Sequence, residues 1–347
     1  MTNLKRCDII DTERGTESPE HTKYKKQAER GGKTPQKEEK NMCKLKSAII
    51  LKDRIFMPDY DSHSEMLEEL GITDDYFNAS KVFVRAELSP ADGDVFSDID
   101  SWEFSVDQDI TPEWFDEKDC AERMRNAVKE WANTHIFIGQ NELKISHGEN
   151  IFIKDCEYVD ICGNATVKYI CGNAKVKNIC GKATVENICG NATVNCIYGN
   201  ATVNCICGKA TIENIYGNVT VKDICDNATV TCIYGNTTVV NIHDNAMVRY
   251  ACGNAIVKRI CDSAIINNIY DNASVENACG NAIVNNICNN ATVEYVYENA
   301  TVISSPCIKW NNSASLVVSD NAIFKDCYAK TIFHAGKCKF IEVKYEN

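Results

Sequence analysis

The sequence lacks any apolar run near the eighteen or so residues that a membrane-spanning helix needs. Its first residues, "MTNLKRCDIIDTERGTESPEHTKYKK", contain no apolar core of a secretory signal. These two absences set the expectation of a cytoplasmic protein, or of a phage-particle component assembled in a cytoplasm, with no membrane partner. There is no G-x-S-x-G and no H-E-x-x-H, and the six histidines are scattered. Catalytic chemistry therefore has no local signature, and a non-enzymatic protein is expected. No C-x-x-C pair occurs among the twenty cysteines, so the usual ligand spacing of structural zinc is absent too. Neither a metal nor a cofactor is expected on these grounds.

Basic charge is also short. The chain carries 37 Lys/Arg against 49 Asp/Glu, a net −12. Residues 1–41 hold ten basic and eight acidic residues, residues 42–160 twelve and 27, and residues 161–347 fifteen and fourteen. Segment charges of +2, −15 and +1 put all the acidity in the middle. An acidic segment beside a neutral one lacks the basic footprint of a nucleic-acid binder. From Glu87 to Glu122 there are thirteen acids and one Lys118. Asp92, Asp94, Asp98, Asp100, Asp107 and Asp109 are a candidate docking face there, or a mimic of nucleic acid in an inhibitor. A solvated surface between core residues is the plainer reading.

What is present is a repeat. From Ile161 to Ser304, sixteen nonapeptides follow one another without insertion, with consensus I-x-G-N-A-x-V-x-x. Position five is Ala except at Val219 and Thr237, and position seven is Val except at Ile212 and Ile266. Positions five and seven lie two apart and so share one face of a strand. The Gly-Asn pair tolerates positive φ and turns the chain. Asp226, Asp244, Asp262, Asp271 and Asn289 replace the glycine with residues that also tolerate such a conformation, and Glu298 fits least well. Tyr198, Tyr216 and Tyr234 stand eighteen apart, and Tyr270 is on the same series. That interval predicts two nonapeptides, or 18 residues, per coil. The expected fold is mainly β: a parallel β-solenoid with two sheets and about eight coils, preceded by a small α/β domain. No nonapeptide is stable alone, so stability comes from stacked neighbours.

The expected organisation is a disordered tail over 1–41, or a natural start at Met42; an acidic α/β domain over 42–151; the solenoid over 152–304; and degenerate repeats with a cap over 305–347. "FIKDCEYVD" (152–160) is expected as a capping unit, with Cys156 and Tyr158 in the Ala and Val places. Pro306 and Trp310 are expected to break register. In the small domain, Asp61 or Ser62 is expected to start a helix ending before Gly71, and Thr111 with Pro112 to start another.

Columns of cysteine at position two read as small ladder residues, kept as reduced thiols. Asn164, Asn191, Asn200, Asn218 and Asn227 match N-x-T, but the pattern reads as a product of the Asn turn and the Thr column. These asparagines are expected to hydrogen-bond along the stack. The column Tyr198, Tyr216, Tyr234 and Tyr270 is the candidate outward binding surface, with a protein as the expected partner; a carbohydrate-binding or carbohydrate-active β-helix is an alternative.

The array "GNATVxxICGNATV" resembles the nonapeptide β-solenoids of uncharacterised proteins from gut bacteria and their phages. The run "DGDVFSDIDSWEFSVDQDITPEWF" followed by "AVKEWANTHIFIG" is similar to a leader domain of such arrays. The resemblance spans about residues 43–330. It implies a display scaffold in a phage or mobile-element context and supplies no activity. In period the array also resembles calcium-binding nonapeptide rolls, but it lacks their full Asp column.

Overall fold

A computed structural model describes residues 46–304 and, by backbone alone, the strands Ser315–Ser319, Ile323–Lys325, Thr331–Ala335 and Lys339–Ile341. The tail over 1–41, Met42, Pro306 and Trp310 lie outside the described residues. Two compact units meet in the chain at Ile136/Phe137.

The small unit is built on an antiparallel sheet in the order β2-β1-β3-β4, with β1 Lys46–Leu51, β2 Ile55–Phe56, β3 Phe83–Ser89 and β4 Glu103–Val106. All six residues of β1 are buried, as a central strand covered on both faces requires. Ile49, Leu51, Met66, Leu67 and Phe83 form one apolar cluster. Helix α1 (His63–Glu69) starts at Ser62, whose hydroxyl accepts from the Glu65 amide, and stops before Gly71 at φ +66°. Helix α2 is the short Tyr76–Ala79. Helix α3 (Glu117–His135) buries Met124, Val128 and Trp131.

Thr111 and Pro112 do not start α3. They enter a turn closed by Phe115 N–H to Pro112 C=O, at 2.9 Å, and the helix begins at Asp116. That carboxylate accepts from the Asp119 amide at 2.9 Å. Glu117 and Asp119 in the first turn suit the positive end of the helix dipole.

The second unit is a parallel β-solenoid of two twelve-stranded sheets. Each strand stacks on the one eighteen residues earlier: Thr202 on Thr184, Val203 on Val185 and Ile206 on Ile188 in one sheet, and Thr211 on Thr193 and Ile212 on Val194 in the other. Twelve strands at about 4.8 Å spacing rise roughly 53 Å. The interior is the predicted ladder. Positions one, five and seven from Ile161 to Val302 form a single buried cluster, broken by one polar residue. Thr237 is fully buried, and its hydroxyl donates to the Tyr234 carbonyl at 2.8 Å.

The backbone ladder continues around the turns. The Asn200 amide bonds to the Gly181 carbonyl and the Tyr198 amide to Ile179, so buried polar groups of the main chain stay paired through each corner. The asparagine ladder is present as expected. Amide Nδ2 of Asn218, Asn236, Asn254, Asn272 and Asn290 each donates to Oδ1 of the asparagine one coil below, at 3.2–3.3 Å.

The front of the stack differs from the expectation. Strands Ile136–Ile138 and Lys144–Ile145 already belong to the two sheets, so the solenoid takes in residues that the sequence had placed in the small domain. Cys156 is buried in the Ala place. Tyr158, however, is not in the Val place. It bulges out at φ +55°, 51% exposed, and the fully buried Val159 pairs with Val176 instead. Lys177 lies over the Tyr158 ring at 4.8 Å. A tyrosine is too large for an interior built to hold Val, so the chain ejects it and fills the site with the next residue. At the other end, Ser315–Ser319 and Ile323–Lys325 resume the parallel stacks on Thr292–Val296 and Thr301–Ser304.

Among the described residues no helix is long and apolar enough to cross a membrane.

Candidate functional site

In each nonapeptide the buried position-one residue is flanked by positions nine and two, which are partly exposed except at the buried Cys225 and Cys279. Cys196, Ile197 and Tyr198 illustrate the pattern: half-buried, buried, half-buried. Stacking repeats it, so two outward ridges run along the solenoid, one for each sheet.

The first ridge carries the tyrosines. Tyr198 and Tyr216 stack with ring centroids 5.2 Å apart and planes 6° from parallel, and Tyr216 and Tyr234 with 5.0 Å and 10°. Coil spacing sets this distance, because identical positions repeat at the strand separation. Tyr270 is on the ridge but outside this run. Its ring stacks on Tyr250, a position-nine residue, at 6.3 Å. Tyr250 itself is 42% exposed. The Tyr198 hydroxyl is pushed up to about 12 by its hydrogen bond with the Cys180 thiol. Burial raises Tyr216, Tyr234 and Tyr270.

The second ridge carries thiols, and here the sequence reading misses something. Cys205 at position nine and Cys225 at position two bring their Sγ atoms to 3.7 Å. The thiols of Cys207 and Cys225 hold Cys205 below the usual thiol range, while Cys225 is pushed up by its bonds to Cys205 and Cys207. Above Cys225 the cysteine column is interrupted by His243, whose Nδ1 is 3.0 Å from Asp244 Oδ2 and whose Nε2 is 4.0 Å from Asp223 Oδ1. The described cysteines are free thiols.

Asp226, Asp244 and Asp262 also form a run in one column, although the sequence reading found only scattered acids. Each sits at φ +55° to +56°. Their carboxylates accept from the amides of Gly208, Asp226 and Asp244 one coil below, at 2.9, 3.3 and 3.4 Å. Glu298, the poorest fit by sequence, does the same for Gly280 at 2.6 Å.

The acidic candidates of the small unit separate into two groups. Asp92, Asp94 and Asp98 close local turns by accepting from the amides of Asp94, Phe96 and Asp100, and Asp100 pairs with Lys129 at 2.6 Å. Asp107 and Asp109 instead line an open groove of about 550 Å³ with Asp74, Asp75, Tyr76 and Arg85. Arg85 pairs with Asp74. His63 Nε2 lies 3.2 Å from the Ala86 carbonyl, to which it can only donate, and its Nδ1 lies 3.3 Å from Asp107 Oδ2. The six acids therefore do not form one face around a shared centre. Half of them are occupied by the turns they build.

No family model, no curated protein and no solved structure matches this chain.

Proposed function

We propose that the protein is a non-enzymatic interaction scaffold, whose solenoid presents the Tyr198–Tyr216–Tyr234 ladder to a protein partner. The observation that supports this is the ring stack itself. Stacked tyrosines offer a large amphipathic surface that is already ordered, so little side-chain entropy is lost on binding. Tyrosine is enriched where protein interfaces concentrate their binding energy. The stack also speaks to partner class. Both faces of Tyr216 are covered by its neighbours, leaving only its ring edge for contact. A sugar ring packs on an open aromatic face, so a protein surface is the better fit. A phage-particle or mobile-element setting is supported by the resemblance of the array, and phage structural genes beside its own would strengthen it.

The test is a partner captured with the full chain, cross-linked and then purified for affinity measurement. Replacing Tyr198, Tyr216 and Tyr234 together by Ser should weaken binding more than about tenfold, given hot-spot losses of about 2 kcal/mol or more. The far-UV circular dichroism should be unchanged. A folded triple variant with undiminished affinity would remove the ladder from the interface.

A further inference from the structure

We propose that the second ridge binds one thiophilic divalent cation, with zinc as the physiological candidate, through Cys205, Cys225, His243 and Asp244. This inference does not depend on the tyrosine reading, because it concerns the other ridge and a different chemistry.

Three observations converge on the place. The ligand atoms of Cys225, His243 and Asp244 all lie within 4.8 Å of one another. Cys205 adds a second sulfur 3.7 Å from Cys225 Sγ. A tetrahedral zinc with Zn–S of about 2.3 Å has an S···S edge of about 3.8 Å, so the two sulfurs already stand at the separation that a shared ion requires. The electrostatics agree. Asp223 faces the imidazole, and Asp226, Asp244 and Asp262 stack in the adjoining turns, so the site is negative before any thiol ionises.

The donor set selects the ion. Two sulfurs, an imidazole and a carboxylate suit zinc and related borderline ions, whereas calcium and magnesium take oxygen ligands. The ligands come from three successive coils of one sheet edge, on the rigid backbone ladder; Cys225, His243 and Asp244 are already clustered, and Cys205, which among these ligands touches Cys225 alone, turns toward the ion to complete four-coordination. Binding would release the two thiol protons to solvent and place two thiolates and one carboxylate on the cation, with the imidazole neutral. Nothing is oxidised or reduced.

The experiment uses the full chain, purified under reductant and stripped with chelator. Zinc is titrated against a chromophoric competitor, and cobalt(II) is used as a spectroscopic stand-in. We expect one equivalent of tight zinc, a thiolate-to-cobalt charge-transfer band, and d–d bands of tetrahedral intensity. Cys225→Ser and His243→Ala should each lower affinity more than about 100-fold, since even outer-shell changes at metal sites cost about 10–100-fold. Cys189→Ser, a thiol lower on the same ridge, should leave affinity unchanged. Far-UV circular dichroism separates lost binding from lost fold. Should His243→Ala or Cys225→Ser misfold, Asp244→Asn provides a milder variant, with weakened binding and altered cobalt bands expected. The proposal fails if the reduced protein binds no zinc, if Cys189→Ser weakens binding as much as Cys225→Ser, or if binding survives both His243→Ala and Asp244→Asn undiminished. It fails equally if the cobalt spectrum carries no thiolate band.

Discussion

Position three of the repeat sits at φ between +55° and +88° and, from Gly181 onward, lies against the same position one coil below. At Gly181 the backbone has φ +73°, and a Cβ there would come within 2.9 Å of both N and O of Gly163. Gly181→Ala therefore carries the left-handed penalty of about 1–2 kcal/mol plus a clash with backbone that cannot swing aside. The solenoid unfolding midpoint in denaturant should fall accordingly. Asp226 shows how a larger residue is tolerated. It adopts φ +56° and returns a carboxylate bond to the Gly208 amide at 2.9 Å. Asp226→Ala keeps the Cβ and loses that bond, so it should destabilise by about 1–2 kcal/mol, the scale of a solvent-facing hydrogen bond to a charge. Asp226→Asn, which retains an acceptor and tolerates the backbone, should lose clearly less. Equal losses from the two variants would show that the carboxylate bond is not what permits the substitution. Glu298 extends the rule: its longer side chain reaches the same amide, which is why a residue that looks misplaced in the sequence is accommodated.

At the scale of the element, the unit that matters is the eighteen-residue coil. Val203 stacks on Val185, not on Val194, so deleting residues 198–215 removes one coil and returns every later strand to its own sheet. That variant should remain folded, with a cooperative transition and only a modest loss of stability. Deleting residues 198–206 alone exchanges the two sheets above the cut, and it should lose cooperativity or fold poorly. Thermal unfolding followed by circular dichroism distinguishes the two. The alternation of Ala and Val, the Gly-Asn turn and the Tyr interval make the coil, its two sheets and the Asn ladder legible from sequence, because each depends on contacts at eighteen residues. The thiol pair was not legible. Cys205 and Cys225 are twenty apart, one coil plus a diagonal step from position nine to position two, and Tyr250 and Tyr270 meet by the same step. A search for columns misses a diagonal. Tyr158 was hidden for another reason: ejecting it shifts register by one residue and then restores it, leaving no trace in the repeat length.

The tyrosine ridge also gives the coils a pH dependence. Tyr198 is held near 12 by Cys180, and Tyr216 and Tyr234 are raised by burial. A folded pKa above the unfolded value of about 10 means that the neutral phenol favours the fold. This contribution is complete below about pH 10 and is lost as the pH climbs toward 12. Tyrosinate absorbance should accordingly show a late-titrating component. Cys180→Ala should shrink it without abolishing it, because Tyr60 is also held up to about 12, by its bond to Glu69. A titration curve unchanged by Cys180→Ala would separate Tyr198 from that thiol.

Across the whole molecule, charge and fold divide along similar lines. Residues 42–160 carry −15 and residues 161–347 carry +1. In the small unit, short carboxylate–amide bonds such as Asp98 to the Asp100 amide fix the turns, but thirteen acids between Glu87 and Glu122 still repel one another. Salt acts on the second effect and hardly on the first. The screening length falls from about 30 Å at 0.01 M to about 3 Å at 1 M, which removes repulsion between turns while leaving contacts of hydrogen-bond length intact. The small unit should therefore become more stable as sodium chloride is raised over that range. The near-neutral solenoid, held by its buried Ile, Ala and Val ladder, should change little. Tryptophan separates the two signals in a Trp310→Phe background, because the other three, Trp102, Trp114 and Trp131, belong to the small unit, while far-UV circular dichroism is dominated by the twenty-four strands of the two long sheets. Denaturation at low and high salt should move the fluorescence midpoint upward and leave the dichroism midpoint nearly fixed. A fluorescence midpoint that stays still or falls with salt would mean that ion pairs such as Lys129–Asp100 and Lys46–Asp61 outweigh the repulsion, and that the acidity is locally compensated rather than stored as strain.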